Sequence, residues 1–317
     1  MQGILINKNG TEYELEALTS WDICHGLGEP CDYFEVTALY DPDMLPALYD
    51  AVRFRAENDG DTVFYGVVDE YIVSIDEKGG TVTVNGRSLA ALLMDNELPK
   101  CTHYTLSRSA LLSSYVTPFG VTDAAPCPTL PSLLLFPVRD GDSAWSVLKR
   151  WCLKAAHTLP RFSKTGTLLM TGAAGTTKTL NADTQATAIR YRDERYGVLS
   201  KITVKNRVND ASYTVTNSAL IARGGRCERY MYTDIFDNTI SDPSQLGDHY
   251  NGEYQIERSK QGKHCIEVTV PELFFCFPGD TVRFTSTVLG VSGSYPVSST
   301  HCWADSLGAG TVITLEV

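Results

Sequence analysis

The residues most able to do chemistry are a glycine-rich segment, a serine between glycines, and scattered histidines, cysteines and acids. The segment Gly172-Ala-Ala-Gly175-Thr-Thr-Lys178-Thr179 comes nearest to a phosphate-binding loop. That loop needs four residues between its glycines and a glycine directly before the lysine, where this chain has Thr177. Both flanks have strand-like sequences, so the segment predicts a polar hairpin turn and no cofactor site.

Ser292, in Leu-Gly-Val-Ser-Gly-Ser, is the best candidate for a hydrolase nucleophile. A nucleophile elbow needs Gly-x-Ser-x-Gly between a strand and a helix, and position 294 is serine. No helical pattern follows. The sequence therefore predicts a glycine-rich hairpin turn here and no catalytic residue.

Metal ligation finds little support in the spacing of histidines and cysteines. None of the six histidines stands four residues from another, and no two of the nine cysteines form Cys-x-x-Cys. Structural zinc sites usually show such close pairs. His264 and His301 each precede a cysteine, and neighbouring residues of a strand point to opposite faces. We therefore predict free thiols and no metal site.

Acidic residues are too abundant to mark a catalytic pair. The chain has 38 of them, and the adjacent pairs Asp69-Glu70 and Asp193-Glu194 would face opposite ways in a strand. A glycosidase needs two carboxylates at a defined separation across a cleft. With no nucleophile, metal pattern or carboxylate pair, the prediction is that the protein is not an enzyme.

Chain length and net charge limit the classes of protein to which this sequence can belong. The 317 residues suffice for about two or three domains. The net charge of −11 argues against sequence-specific binding of nucleic acid, which needs a basic surface. No apolar run is long enough for a membrane anchor, and the N-terminus lacks the pattern of a signal peptide. The expectation is assembly in the cytoplasm.

The elements that would position any site are mostly strands. Val63–Asn96 predicts two strands joined by a turn at Glu77–Gly80, with Gly86 ending the second strand and Ser88 capping a short Leu-rich helix. Asp41-Pro42 predicts the start of another helix, continuing to Val52.

Changes in the pattern of predicted strands and helices along the chain divide it into three regions. Residues 1–100 are predicted to form a first β-barrel-like domain with one helix. Residues 101–190 predict a small α/β insert with helices capped by Ser107 and Asp142 and a hairpin of Thr165–Met170 with Thr176–Leu180. Residues 191–317 predict a second β-barrel-like domain, with a polar loop over Phe236–Tyr250.

Two of these stretches resemble one protein family. Phe64-Tyr-Gly66-Val-Val, the hairpin, Val84-Asn-Gly86-Arg87-Ser88 and Asp95-Asn96 are similar to the baseplate hub proteins of contractile-tailed phages, prophages and phage-tail-like bacteriocins (late-control-D-like hubs). Phe277-Pro278-Gly279-Asp280-Thr281-Val282, Leu289–Val297 and Gly308–Thr311 resemble the end of the same family, in the same order and separation.

The resemblance implies a mainly β fold with two tail-tube-like β-barrels around a small α/β insert. It implies a structural hub, a homotrimer whose barrels form a ring and adapt the six-fold tail tube to the three-fold spike. Its expected partners are the tail tube protein, the central spike protein and the tape-measure protein, and its expected place is the baseplate of a virion or tail-like particle. No cofactor is implied.

The candidate structural or subunit-contact residues come from the matched stretches. They are Gly66, Gly86, Arg87, Ser88, Pro278, Gly279, Asp280 and Gly310. Arg87 has two possible roles. It could make a fork-shaped contact to a carboxylate or to backbone carbonyls, or it could be a solvent-exposed turn residue. Turn chemistry suffices for Asp280, and Phe274–Phe277 fits either core or a subunit contact.

Two other functions remain open from the sequence. The first is a receptor- or glycan-binding tail-tip protein, for which Trp303, Tyr230 and Tyr232 could supply aromatic surfaces. The second is a tail-associated cell-wall hydrolase, which the missing nucleophile and metal patterns argue against.

Overall fold

The computed structural model describes residues 1–27, 31–172, 175–233 and 247–317 and is mainly β, with 49% strand and 19% helix. The strands are β1 Gln2–Asn7, β2 Glu12–Leu15, β3 Leu18–Gly26, β4 Tyr33–Leu39, β5 Ala51–Asn58, β6 Asp61–Asp76, β7 Gly79–Ser88, β8 Cys101–Leu106, β9 Leu133–Val138, β10 Arg161–Phe162, β11 Leu168–Leu169, β12 Thr177–Asn181, β13 Ala188–Asp193, β14 Lys201–Asn206, β15 Ser212–Thr216, β16 Glu228–Thr233, β17 His264–Val270, β18 Thr281–Ser286, β19 Val291–Asp305 and β20 Gly308–Glu316. The helices are α1 Leu45–Asp50, α2 Ala90–Met94, α3 Arg108–Tyr115, α4 Ala144–Ala155, α5 Ala182–Gln185, α6 Ser218–Ala222 and α7 Gly247–Lys260.

One large sheet joins the beginning of the chain to its end. Its order is β13-β17-β20-β19-β3-β4-β7-β6-β5-β1-β2, and β18 pairs with both β19 and β12. The antiparallel pairing of β3 with β19, with Asp22 opposite Trp303, joins the N-terminal strands to the C-terminal ones. We call this β3–β19 pairing the seam. Because side chains alternate along a strand, residues 21, 23 and 25 of β3 face the core while 22 and 24 face outward.

The large sheet covers two hydrophobic cores, one on each side of the seam. The N-terminal core contains Phe34 and Phe54, whose rings stack with centroids 4.0 Å apart. The C-terminal core contains Phe284 and Leu315, both fully buried. The aromatic segment Phe274–Phe277 packs against both cores.

The N-terminal hairpin and its neighbouring helix largely follow the predictions. All of β7 pairs with Gly66–Asp76 of β6. The turn between them lies within the predicted Glu77–Gly80, although Gly79 and Gly80 already pair with Asp76 and Ile75. Asp41 accepts a hydrogen bond from the Asp43 amide at the start of a short 3-10 helix, Pro42–Met44, that leads into α1. The helix ends at Asp50 rather than at the predicted Val52, because Ala51 already pairs in β5.

Helices α3 and α4, in the region predicted to be an insert, contribute to one hydrophobic core, which contains the fully buried Trp151. Ser107 caps α3 by accepting from the Ala110 amide, as predicted. The predicted cap of α4 was off by one residue: Ser143, not Asp142, accepts from the Ser146 amide. The Asp142 carboxylate instead binds the Arg150 guanidinium, with Oδ2 2.8 Å from Nη2.

The hairpin predicted from Thr165–Met170 with Thr176–Leu180 is wrong. Strand β11 pairs with β10, whereas β12 pairs in parallel with β18 of the C-terminal region. Burial explains the choice, since Leu180 is fully buried in the C-terminal core. Two strands that are separated by turn-forming residues are therefore not paired with each other here.

A small third sheet of order β15-β14-β16 is covered by helix α7. The prediction of a loop over Phe236–Tyr250 is wrong for residues 247–250, which begin α7; residues 236–246 lie outside the described residues. The helix was missed because its sequence is strongly polar, with Ile256 among its few core contacts.

The mainly β part of the predicted fold class is confirmed. Within the described residues the main path of the large sheet has two ends, β13 and β2, and no strand pairing closes it into a barrel. The boundaries near residues 100 and 190 stay predictions. Among the described helices, none combines the length and the apolar sequence that crossing a bilayer requires.

Candidate functional site

Gly66 and Gly86 lie where the backbones of β6 and β7 leave no room for a side chain. A Cβ built on Gly66 would come under 3.0 Å from the Arg87 carbonyl oxygen, and one on Gly86 would come equally close to the Val67 carbonyl oxygen. Neither glycine has a positive φ. Both are therefore needed for backbone proximity and not for a turn. The prediction that Gly86 ends its strand is wrong, since β7 continues to Ser88.

Ser88 does not cap α2, contrary to the prediction. Leu89 occupies the N-cap position, without a side-chain hydrogen bond. Because β7 extends to Ser88, its side chain is buried, and its hydroxyl accepts a hydrogen bond from the Asp32 amide at 3.2 Å. The Ser88 amide in turn donates to the Asp32 carbonyl oxygen at 2.8 Å.

Arg87 points outward and makes a fork-shaped contact to two carboxylates. Its Nε donates to Asp69 Oδ2 at 2.6 Å and its Nη2 to Asp95 Oδ2 at 2.7 Å. This hydrogen bond holds the pKa of Asp95 below its usual range, and the two carboxylates raise the pKa of Arg87. The arginine thus ties β6, β7 and the end of α2 together. A role between subunits stays a prediction.

The Pro278-Gly279-Asp280 turn ties the C-terminal region to the segment before β12. Gly279 has a φ of +98°, which favours glycine, and Pro278 and Asp280 are buried. The Asp280 carboxylate accepts from the Phe277 amide at 2.9 Å and from the Thr176 amide at 2.6 Å. The Thr176 hydroxyl also donates to Asp280 Oδ1, at 3.0 Å. Turn chemistry therefore explains only the Phe277 contact, and no short-range pattern in the sequence could have revealed the two contacts from Thr176.

Gly310 makes room for a side chain rather than for backbone. It lies opposite Trp303 in the β19–β20 pair, and a Cβ on it would come 2.6 Å from Trp303 Cζ2. The Trp303 ring also lies beside His301, with centroids 5.4 Å apart. The Trp303 indole therefore lies on the sheet between Gly310 and His301.

Neither Lys178 of the glycine-rich segment nor Ser292 lies in the structural setting that its motif would need. Lys178 lies in strand β12, where its ammonium donates to the Phe275 carbonyl oxygen. Ser292 lies in β19 opposite Thr285, and the turn that was predicted at Ser292 ends at Gly290. The described part of the glycine-rich segment leads into a strand and not into the helix that a phosphate loop needs.

Tyr230 and Tyr232 lie on one exposed face of β16, with 70% and 55% of their surface accessible. Lys205 and Arg207 lie over the two rings, at 5.7 and 5.1 Å from the ring centroids. These tyrosines are on a strand and not on loops.

A polar cluster at the seam was not predicted from the sequence. Asp22 and Cys24 face outward on β3, and His301 faces outward on β19 opposite Cys24. His301 Nε2 lies 2.7 Å from Asp22 Oδ2, and burial raises the pKa of the Cys24 thiol to about 11. Alternation along β3 places Asp22 and Cys24 on one face. No local pattern joins them to His301, which lies 279 positions after Asp22 in the chain.

Comparisons with known proteins identify the fold. No family model matches the sequence, and no curated protein matches it. Three solved structures are similar along nearly the whole chain. A tail protein from Neisseria meningitidis MC58 has a TM-score of 0.77 at 15% identity and covers 100% of this chain and 96% of that one.

The other two extend the likeness to a prophage and to a secretion system. The 43 kDa tail protein of prophage MuSo2 from Shewanella oneidensis has a TM-score of 0.73 at 18% identity, covering 99% and 98% of the two chains. The E. coli c3393 protein, a type VI secretion component described as similar to the T4 tail proteins gp27 and gp5, has a TM-score of 0.55 at 9% identity, covering 95% and 73%. The resemblance to tail proteins is thus confirmed in three dimensions, and this chain has the fold of phage and prophage tail proteins.

Proposed function

We propose that this chain is a structural hub in the baseplate of a phage tail or tail-like particle. In this role it forms a homotrimer that joins the six-fold tail tube to the three-fold central spike. The observation that carries the proposal is the likeness to two tail proteins over at least 96% of each chain. An adapter of this kind needs no catalytic group.

The arrangement of the large sheet supports a ring-forming role. Two cores lie on either side of the seam, which is compatible with two barrel-like halves in each chain and six in a trimer. The sheet path has free ends at β2 and β13 within the described residues. Exposed strand edges favour aggregation unless another chain or element covers them. Pairing between neighbouring copies in a closed ring would cover these edges.

The proposed partners follow from the neighbouring structures. The type VI component is described as similar to T4 tail proteins, which supports a place in a tail, where the tail tube protein would bind one side of the ring and the spike protein the other. A further neighbour, a Francisella complex, includes a protein named VgrG. The tape-measure protein would lie within the ring, and the hub would be located in the baseplate after assembly in the bacterial cytoplasm.

Mass measurement combined with co-expression tests this function. The purified chain, alone and co-expressed with the tube and spike proteins of its own tail cluster, is examined by native mass spectrometry and pull-down. We expect a species of three chains that retains both partners. A chain that stays monomeric with both partners present, and binds neither, would contradict the proposal. An image of the assembled particle should place three copies at the tube–spike junction.

Exposed Tyr230 and Tyr232 favour a second candidate, a receptor- or glycan-binding tail-tip protein. Exposed aromatic rings with a cation nearby can stack on sugar rings, and both tyrosines are more than half accessible. Binding of host-surface glycans that is lost in a Tyr230→Ala/Tyr232→Ala variant, by a chain that forms no trimer, would favour this candidate.

A cell-wall hydrolase is the least supported alternative. Neither Ser292 nor Lys178 lies in a catalytic setting, since both are strand residues. A turnover assay on peptidoglycan should therefore give the same rate as buffer.

A further inference from the structure

The outward face of the seam holds a thiol, an imidazole and a carboxylate close together. The donor atoms of Asp22, Cys24 and His301 all lie within 4.8 Å of one another, and all three side chains are partly buried. Tetrahedral zinc with bonds of about 2.0–2.3 Å places its donors about 3.3–3.6 Å apart. The observed separations of up to 4.8 Å are therefore about 1 Å from those of a zinc site.

One oxygen of the Asp22 carboxylate accepts no hydrogen bond from the described residues, and a bound cation would supply its missing partner. Its Oδ2 accepts a hydrogen bond from His301 Nε2, but its Oδ1 is buried and has no hydrogen-bond partner among the described residues. Leaving a buried carboxylate oxygen unpaired is costly, and such an oxygen often indicates an ion. A metal ion bound to His301 Nε2 and Asp22 would take the place of this hydrogen, which leaves Nε2 for solvent while Nδ1 takes up one from solvent, so that the imidazole stays neutral.

The surroundings of the cluster also favour a positive ion. A surface groove of about 450 Å³ opens beside it, and its lining includes the carboxylates of Asp22, Glu35 and Asp305. No lysine or arginine lines this groove within the described part of the chain. On the neighbouring strand β4, Tyr33 lies opposite Cys24 and interacts with both Cys24 and Asp22, as the residues around metal ligands commonly do.

We propose that Asp22, Cys24 and His301 bind one zinc ion per chain, with the fourth coordination position open to solvent or to a group from a partner. The donor set of one thiolate, one imidazole and one carboxylate suits zinc and not magnesium or calcium, which prefer oxygen ligands only. On binding, the Cys24 thiol loses its proton to solvent and no redox step is involved. Because Asp22 and Cys24 are on β3 and His301 is on β19, the ion would clip the two sides of the seam together.

Cobalt(II) provides a spectroscopic test on the full chain after chelator treatment and dialysis. Titration should produce the thiolate-to-cobalt charge-transfer absorption and the visible bands of a four-coordinate ion, saturating at one ion per chain. Zinc should displace the cobalt and raise the melting temperature. Wild-type protein without saturable binding would overturn the proposal.

Variants locate the site. Replacing an outer-shell residue typically costs about 10–100-fold in metal affinity, so Cys24→Ser and His301→Gln should each weaken binding by about 100-fold or more, and Tyr33→Phe by about 10-fold. Circular dichroism checks that each variant is folded. If Cys24→Ser binds normally, or if a folded His301→Gln keeps the full spectrum, the assignment is wrong.

A matched control exists in the insert. The Cys101 thiol lies 3.5 Å from His103 Nε2 and 3.2 Å from the Tyr115 hydroxyl, and among the described residues no carboxylate completes this thiol–imidazole pair as a metal-binding group. Cys101→Ser should leave the cobalt spectrum unchanged. Loss of the charge-transfer band in Cys101→Ser but not in Cys24→Ser would assign the metal to the insert and overturn the proposal. This test does not depend on the tail role, because it needs neither the trimer nor a partner.

Discussion

The β6–β7 and β19–β20 hairpins use glycine for different physical reasons. In β6–β7, Gly66 and Gly86 allow two backbones to approach so closely that a Cβ on either would strike a carbonyl oxygen. In β19–β20, Gly310 leaves space for the Trp303 ring. A backbone carbonyl in a sheet cannot move without breaking the pairing, whereas an indole can rotate. The first hairpin should therefore tolerate no side chain, and the second should tolerate a small one at moderate cost.

The largest expected effect is that of Gly86→Ala. The added methyl group would strike the Val67 carbonyl oxygen and would also lie 2.8 Å from Phe34 Cε1, so the strands must separate. We expect a loss of about 3 kcal/mol or more in the free energy of unfolding, measured by urea denaturation.

Gly172→Ala is the matched control for this variant. Gly172 is exposed, and no atom of the other residues that the structure describes lies within 4 Å of an added Cβ. Its replacement should change stability by less than about 0.5 kcal/mol. If Gly86→Ala is equally mild, the close backbone approach is not what requires glycine.

Asp280→Ala should have the next largest effect, because the C-terminal region depends on side-chain hydrogen bonds. The change leaves the amides of Thr176 and Phe277 without their buried acceptor. We expect a loss of about 2–3 kcal/mol by the same measurement. Asp305→Ala is the control, since Asp305 accepts from the amides of Leu307 and Gly308 in an exposed turn where water can replace it. Equal costs for the two aspartates would show that burial does not matter here.

Gly310→Ala should cost less, about 1–2 kcal/mol, because the Trp303 ring can move away from the new methyl group. A double-mutant cycle with Trp303→Leu isolates this contact. If the ring is the obstacle, the alanine should cost less in the Trp303→Leu background than in the wild type. An unchanged cost in both backgrounds would place the obstacle in the backbone, as in the first hairpin.

The smallest effect concerns Arg87, whose contacts lie on the partly exposed face of the first hairpin. Screening by solvent limits the loss for Arg87→Met to about 1 kcal/mol at neutral pH. The pKa of Asp95 is lowered in the fold, so its contribution is present above the unfolded value of about 3.9 and is lost as the pH falls through the lowered value.

Denaturation of wild type and Arg87→Met across acidic pH measures this linkage. The difference in stability between them should shrink as the pH falls below about 4. In Arg87→Met, an NMR titration should find the Asp95 pKa closer to its ordinary range. A stability difference that is the same at pH 7 and at low pH would exclude the ion pair as its source.

Local patterns in the sequence were sufficient for the elements whose stabilising contacts are short in range. The turn at Glu77–Gly80, the cap at Ser107 and the alternation in β20 follow from nearby residue types. Ser88 shows the limit of this reasoning. A serine before Leu-Ala-Ala-Leu-Leu has the local chemistry of a cap, but the pairing of β7 carries the strand through that position and buries the hydroxyl.

By itself, the sequence determined that the protein is mainly β, and it singled out Gly66, Gly86, Asp280 and Gly310 as structural or subunit-contact candidates. Only the tertiary structure decided what each of these residues contacts, which strands are neighbours, and that His301 meets Asp22 and Cys24 at the seam. Turns, caps and alternation arise within a few residues, so they can be predicted from the sequence. Strand partners and polar clusters are decided by burial of surfaces far apart in the chain, as in β12 with β18, and no local pattern encodes that choice.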